Sequence, residues 1–146
     1  MHSSTTTLLA TGVASLYATG LVAVGVYMLA RPRGWTDAVV RYTRWRWMHP
    51  VEILVCAGFG AAIWIAAAAS AAPLLLSGFG ALLVLVGVAL ALSPPSLHAA
   101  FAARAARRIE ALNRLFGVLT LLFAGFLFYA LHAPARATAA AITGVN

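Results

Sequence analysis

Lysine is absent from this 146-residue chain, and all ten of its basic residues are arginine. Acidic residues are scarcer still: Asp37, Glu52 and Glu110 are the whole set. So few carboxylates leave acid–base catalysis by a carboxylate pair without residues, and no HExxH motif or dense Cys/His cluster points to metal-assisted hydrolysis. Cysteine occurs once, at Cys56, which excludes an intrachain disulfide and a CxxC redox pair and argues against a quinone-linked thiol oxidoreductase. Charged residues make up 9% of the chain and hydrophobic ones 63%, a balance outside the soluble range. A net charge of +7 would suggest nucleic acid in a soluble protein. Here the arginines flank apolar runs, so the partner they fit is the anionic headgroup layer of a bilayer, and no nucleic-acid partner is expected.

What is present is organised around Arg31 to Glu52 (RPRGWTDAVVRYTRWRWMHPVE), which sets five arginines and three tryptophans between two apolar segments. Ahead of it, Met1 to Thr7 is polar without a basic residue, so the positive start of a secretory signal peptide is missing. Leu8 to Ala30 then runs 23 residues without a charge. As a helix it measures about 35 Å, enough to cross a hydrocarbon core of ~30 Å. Arg31, Pro32 and Arg33 end this first span, because guanidinium groups settle among headgroups.

Over 34–46, Trp35, Ala38, Val39, Tyr42 and Trp45 recur at helical spacing with Asp37, Arg41 and Arg44 opposite. That pattern predicts an amphipathic helix in the plane of the interface, anchored by Arg31, Arg33, Trp35, Arg41, Arg44, Trp45, Arg46 and Trp47. Pro50 suits the first turn of a second span, 51–69. There Gly58 and Ala62 form a small-xxx-small pair expected to admit a neighbouring helix. The short connection from Ser70 to Pro73 predicts an antiparallel hairpin with a third span, 74–92. After Ser93, Pro94 and Pro95, the apolar residues Leu97, Phe101, Ala105 and Ile109 oppose Arg104, Arg107 and Arg108. They predict a second interfacial helix, 96–110, whose arginines are again lipid anchors. A fourth span, 115–131, is broken by His132, Ala133 and Pro134, and the Ala/Thr-rich stretch 134–146 reads as a poorly ordered periplasmic tail. The expected fold is all-α: a polytopic membrane protein with four transmembrane helices and two cytoplasmic interfacial helices.

Nine arginines fall in or beside the two long connections, and only Arg136 lies on the other side. The positive-inside rule therefore places both connections in the cytoplasm of a bacterial inner membrane and both termini in the periplasm. Sliding the chain on itself by 62 residues lays Val22–Val26 over Val84–Val88, including Gly25 on Gly87, with Pro32 on Pro94 and Arg46 on Arg108. Both halves, 1–71 and 72–133, then read as span, interfacial helix, span, which predicts a tandem duplication. Two spans per copy put any pseudo-twofold axis along the membrane normal. Gly25 and Gly87 are expected to serve packing. The same register lays Glu52 over Arg114, each just inside its span, and predicts a structural ion pair between them.

His49 and His98 fall at the cytoplasmic side and His132 at the outer side, so no opposed pair sits at one depth as a transmembrane b-type haem requires. His49 and His98 remain as single candidate ligands for a haem or pigment of a neighbouring subunit; no cofactor of the chain's own is expected, and bound phospholipid is. Cys56, among small residues below the interface, reads as a packing residue because apolar surroundings disfavour the thiolate. No span carries a charge or a proline at mid-depth, which argues against ion-coupled transport.

In length and number of spans the chain is similar to the four-helix membrane family that includes glutathione transferases and eicosanoid synthases. That family's loop signature is matched only loosely by Arg104 to Asn113 (RAARRIEALN), so no functional residue is carried over. Small multidrug exporters share the span count but need a glutamate in the first span, and Leu8 to Ala30 has none. The functional expectation is a non-catalytic accessory or scaffold subunit of a respiratory or photosynthetic type of inner-membrane complex, packed on other integral subunits and on anionic lipid. The competing expectation is a homo-oligomeric small-molecule or lipid transporter, or a glutathione-type enzyme.

Overall fold

A computed structural model describes residues 2–133, with the side chains of residues 2–4 left aside. The stretch 134–146, with Arg136 and the expected tail, lies outside the described residues. Among the described residues six α-helices follow in order: α1 (His2–Ala30), α2 (Pro32–Tyr42), α3 (Met48–Ala67), α4 (Pro73–Leu92), α5 (Pro95–Arg108) and α6 (Asn113–His132), with one 3₁₀ turn at Glu110–Leu112 before α6. No strand occurs among the described residues. Four of the helices, α1, α3, α4 and α6, are long and apolar enough to cross a membrane.

Local chemistry sets the boundaries. Pro32, Pro73 and Pro95 each stand at the start of a helix, where a missing N–H costs no hydrogen bond. The helix α2 ends at Tyr42, short of the expected 46, and the Thr43 hydroxyl there donates to the Val40 carbonyl at 2.8 Å. Such a bond competes with helix continuation, and the turn that follows reverses the chain into α3.

The long helices run antiparallel in succession, so α2 and α5 lie together at one end, here called the hinge end. Laterally, α1 rests on α6 and on α3, and α3 rests on α4. At the opposite end a core of small and aliphatic residues forms from Ala10, Ala14, Ile63, Ala66, Ala67, Leu76, Ala130 and Leu131. Alanine here removes the side-chain bulk that would hold the helix backbones apart. The connection between α3 and α4 is tied down as well, because the Ala71 N–H donates to the Ala130 carbonyl at 2.8 Å, one of the carbonyls that the end of α6 leaves open. Tyr17, Phe59, Phe79 and Phe123 continue the packing towards mid-depth, with Phe79 edge-on to Phe123 at 4.7 Å between centroids.

Glycine marks the close helix approaches. A Cβ on Gly60 would lie 2.8 Å from the Gly80 carbonyl oxygen, and one on Gly80 would lie 2.7 Å from that of Gly60, so α3 and α4 touch backbone to backbone. The helices α1 and α6 meet likewise at Gly25 and Gly117, and Gly87 faces Cys56 and Ala57. Within the chain, the expected Gly58–Ala62 pair does not form a close helix approach. Ala62 is buried, but Gly58 has nothing within 4 Å of its Cβ position and lines an open apolar crevice with Val13, Leu54, Val55 and Phe59. Gly60 is two residues on, rotated by about 200° around a helix, so the small-residue motif is read from the opposite face.

Candidate sites at the hinge end: an arginine cleft and an imidazole–carboxylate pair

Two groups of polar side chains gather at the hinge end. The first lines a cleft of about 940 Å³ where the start of α2 faces the end of α5 and the start of α6. Arg31, Arg33, Arg107, Arg108 and Arg114 line it together with Glu110, Pro32, Gly34 and Ala111. Only one carboxylate stands against five guanidinium groups, and the contact it makes is loose: Arg33 Nε lies 3.9 Å from Glu110 Oε1, with the Arg33 side chain 91% exposed. Neither α2 nor α6 has a side-chain cap or an acidic residue in its first turn. Arg31 is the N-cap of α2 and Arg114 stands at the second position of α6, both at positive helix ends, whereas Arg107 and Arg108 lie in the last turn of α5 and Arg31 also directly follows α1, at ends that favour cations.

What holds the walls of this cleft is Asn113, which is 1% exposed. Its Nδ2 donates to the Pro32 carbonyl at 2.7 Å and to the Thr36 hydroxyl at 3.0 Å, fixing the start of α6 to the first turn and a half of α2. Thr36 is buried as well. The sequence reading singled out neither. A signal was present, for Asn113 is an amide opening a long apolar run, and such a group is costly to bury without a partner.

The second group joins α5 to α3. His98 Nε2 and Glu52 Oε2 form a hydrogen bond with both side chains mostly covered. This corrects the expected Glu52–Arg114 pair. Glu52 is taken up by His98, and Arg114 lines the arginine cleft instead. Among the described residues the ion pairs within 4.0 Å are this one and Arg33–Glu110. The register match had brought Glu52 and Arg114 to equivalent positions on different helices, and equivalence under a rotation does not imply contact.

The His49 ring lies 5.5 Å from that of His98, and its Nδ1 is buried without a hydrogen-bond partner. Of the two imidazoles singled out as candidate ligands, His98 therefore spends Nε2 on Glu52, while His49 keeps a buried nitrogen with no donor or acceptor facing it. No group of three or more metal-ligating side chains occurs among the described residues. Tyr42 completes the cluster: its hydroxyl donates to the Met48 carbonyl at 3.5 Å, and burial together with the Glu52 carboxylate pushes its pKa above the ordinary tyrosine value.

The remaining residues singled out from the sequence distribute around these two groups. Trp35 packs edge-on against Tyr27 at 6.2 Å, Trp45 lies tilted against Tyr42 at 5.8 Å, and the Arg46 guanidinium sits over the Trp47 ring at 4.9 Å. Trp45 and Trp47 are about half exposed. Arg41, Arg44 and Arg104 point outward, and Arg104 Nε donates to the Ala100 carbonyl of its own helix. At the far end, His132 Nε2 lies 3.1 Å from the Ser15 hydroxyl.

No protein-family model matches the chain, and comparison with curated proteins and with solved structures finds no match.

Proposed function

We propose that this chain is a non-catalytic accessory subunit of a bacterial inner-membrane complex, seated with its hinge end in the cytoplasm and both termini in the periplasm. The observation that carries the reading is how little of the spans the chain covers for itself. In the most apolar stretch of α4 only 17% of residues are buried, and in none of the four spans does that share exceed 28%. These helices offer broad aliphatic faces such as Leu74, Leu82, Leu85 and Leu92 to whatever surrounds them, and faces of that kind suit lateral packing on other integral subunits. Outward arginines and half-exposed tryptophans at the hinge end suit α2 and α5 to the interface as anchors on anionic lipid.

A tandem duplication accounts for the arrangement of contacts. Under the 62-residue shift, the α1–α6 contact corresponds to the α4–α3 contact, with Gly25 against Gly117 in one and Gly87 against Cys56 in the other. The hinge ties correspond as well: Thr36 to Asn113 joins α2 to α6, and His98 to Glu52 joins α5 to α3. Thr36 and His98 are 62 residues apart, and Asn113 and Glu52 fall within one residue of that spacing.

Extraction of native membranes into lipid-preserving polymer particles tests the subunit reading. A stoichiometric integral partner is expected to come off with the chain, and a protein that purifies alone or only with copies of itself overturns it.

A further inference from the structure

The arginine cleft is more than a topogenic excess of positive charge. Under the 62-residue shift its five arginines correspond to Ser93, Pro95, Trp45, Arg46 and Glu52, so the equivalent place in the other half keeps a single arginine. A charge pattern that served orientation alone has no need to converge on one side of the bundle. Here it converges around one cavity, against one carboxylate, and leaves four positive charges unbalanced. Arg114 stands besides in the first turn of α6, which has no side-chain cap and where the backbone adds positive potential of its own.

Guanidinium forks match the tetrahedral oxygens of phosphate, and four unbalanced charges suit a group bearing close to two negative charges better than one bearing a single charge. The cavity, about 940 Å³, has room for a headgroup as well as for a bare ion. Its position also fits: Arg31 directly follows α1 and Arg114 lies in the first turn of α6, at the level where two spans end. We propose that the cleft between the start of α2 and the α5–α6 junction binds a terminal phosphate dianion, held by Arg31, Arg33, Arg107, Arg108 and Arg114. The phosphate comes either from a phosphomonoester lipid or from free phosphate, and the lipid source rests on the membrane reading above. Asn113 is a positioning residue, since it fixes α2 to α6 and so sets the distance between the two arginine-bearing walls.

The test titrates the full detergent-solubilised chain with dioleoyl phosphatidate, dioleoyl phosphatidylglycerol and inorganic phosphate and counts bound molecules by native mass spectrometry. One phosphatidate or one inorganic phosphate per chain is expected, with phosphatidate bound about tenfold or more tightly than singly charged phosphatidylglycerol. Inorganic phosphate that displaces phosphatidate identifies a free-phosphate site, and phosphatidate that binds while inorganic phosphate does not identifies a lipid site. The Arg107→Gln/Arg114→Gln variant is expected to lose about tenfold or more, and Arg107→Lys/Arg114→Lys, which keeps the charge but not the fork, to fall between it and the parent. Circular dichroism checks that each variant keeps its helix content, and Arg33→Gln, at an exposed position, serves where a double variant does not fold. Equal binding of phosphatidate and phosphatidylglycerol with an unaffected lysine variant, or binding of neither phosphate, overturns the proposal. A chain that purifies without a partner yet binds phosphate sinks the subunit reading alone. One with a partner that ignores phosphate sinks this inference alone.

Discussion

Gly58 and Gly60 share a helix, a residue type and an apolar neighbourhood, and yet adding one methyl group to each has opposite expected effects. A Cβ at position 60 would lie 2.8 Å from the Gly80 carbonyl oxygen, 2.9 Å from the Val84 nitrogen and 2.9 Å from the Leu83 Cβ. Two of those three atoms are backbone, so no rotamer change relieves the overlap and α4 itself must move by about half an ångström or more. Such a gap forfeits a quarter to a half of each contact along the seam, and overpacking of this kind costs about 1–3 kcal/mol. The better helix propensity of alanine returns about 1 kcal/mol, so Gly60→Ala is expected to destabilise by up to about 2 kcal/mol. Gly58→Ala meets nothing within 4 Å and keeps only the propensity gain, for a net effect between zero and about 1 kcal/mol of stabilisation. The assay is reversible unfolding in mixed micelles by titration with a denaturing detergent, followed by far-ultraviolet circular dichroism. An unfolding midpoint for Gly58→Ala at or below that of Gly60→Ala would refute the assigned rotation of α3.

Truncating Glu52 and His98 to alanine, singly and together, should give a coupling of about 1–2 kcal/mol in a double-mutant cycle, reduced from the fully buried range because the two side chains are 31% and 14% exposed; additive losses would mean that the contact contributes nothing. Asn113→Ala is expected to cost about 1–3 kcal/mol by leaving the Pro32 carbonyl and the Thr36 hydroxyl without their donor. Asn113→Asp should be worse, since a carboxylate offers the Pro32 carbonyl no N–H, and a thermal midpoint above that of the alanine variant would count against the assigned donor. The Tyr42 pKa is raised by burial and by the Glu52 carboxylate, so the unfolded chain ionises first: this contribution to stability is complete below the ordinary value near ~10 and is lost as pH rises through the folded one. Melting between pH 9 and 11, as order-of-magnitude bounds on that window, should therefore fall more steeply for the parent than for Tyr42→Phe; parallel curves would contradict it.

Hydropathy and punctuation were enough to count the four long apolar helices and to place most of their ends within a few residues, because hydropathy adds up along a segment and does not depend on what the segment touches. The prolines at 32, 73 and 95 each open a helix for a purely local reason. The sites were legible as ingredients only. Arg31, Arg33, Arg107, Arg108 and Arg114 were all noticed as charged residues near an interface, but nothing in their order along the chain says that they line one cavity.

Contact, by contrast, was decided in three dimensions. Whether Gly58 or Gly60 meets α4 depends on the rotation of α3 about its own axis, and a change of two residues turns a face outward. Whether Glu52 finds Arg114 or His98 depends on how α5 crosses the end of α3, with 46 residues between the partners. One-dimensional patterns fix how much apolar surface a helix has and roughly where it stops. Rotation and crossing follow from the fit of all the helices at once, since a backbone approach as close as that of Gly60 and Gly80 is open only where both surfaces are bare.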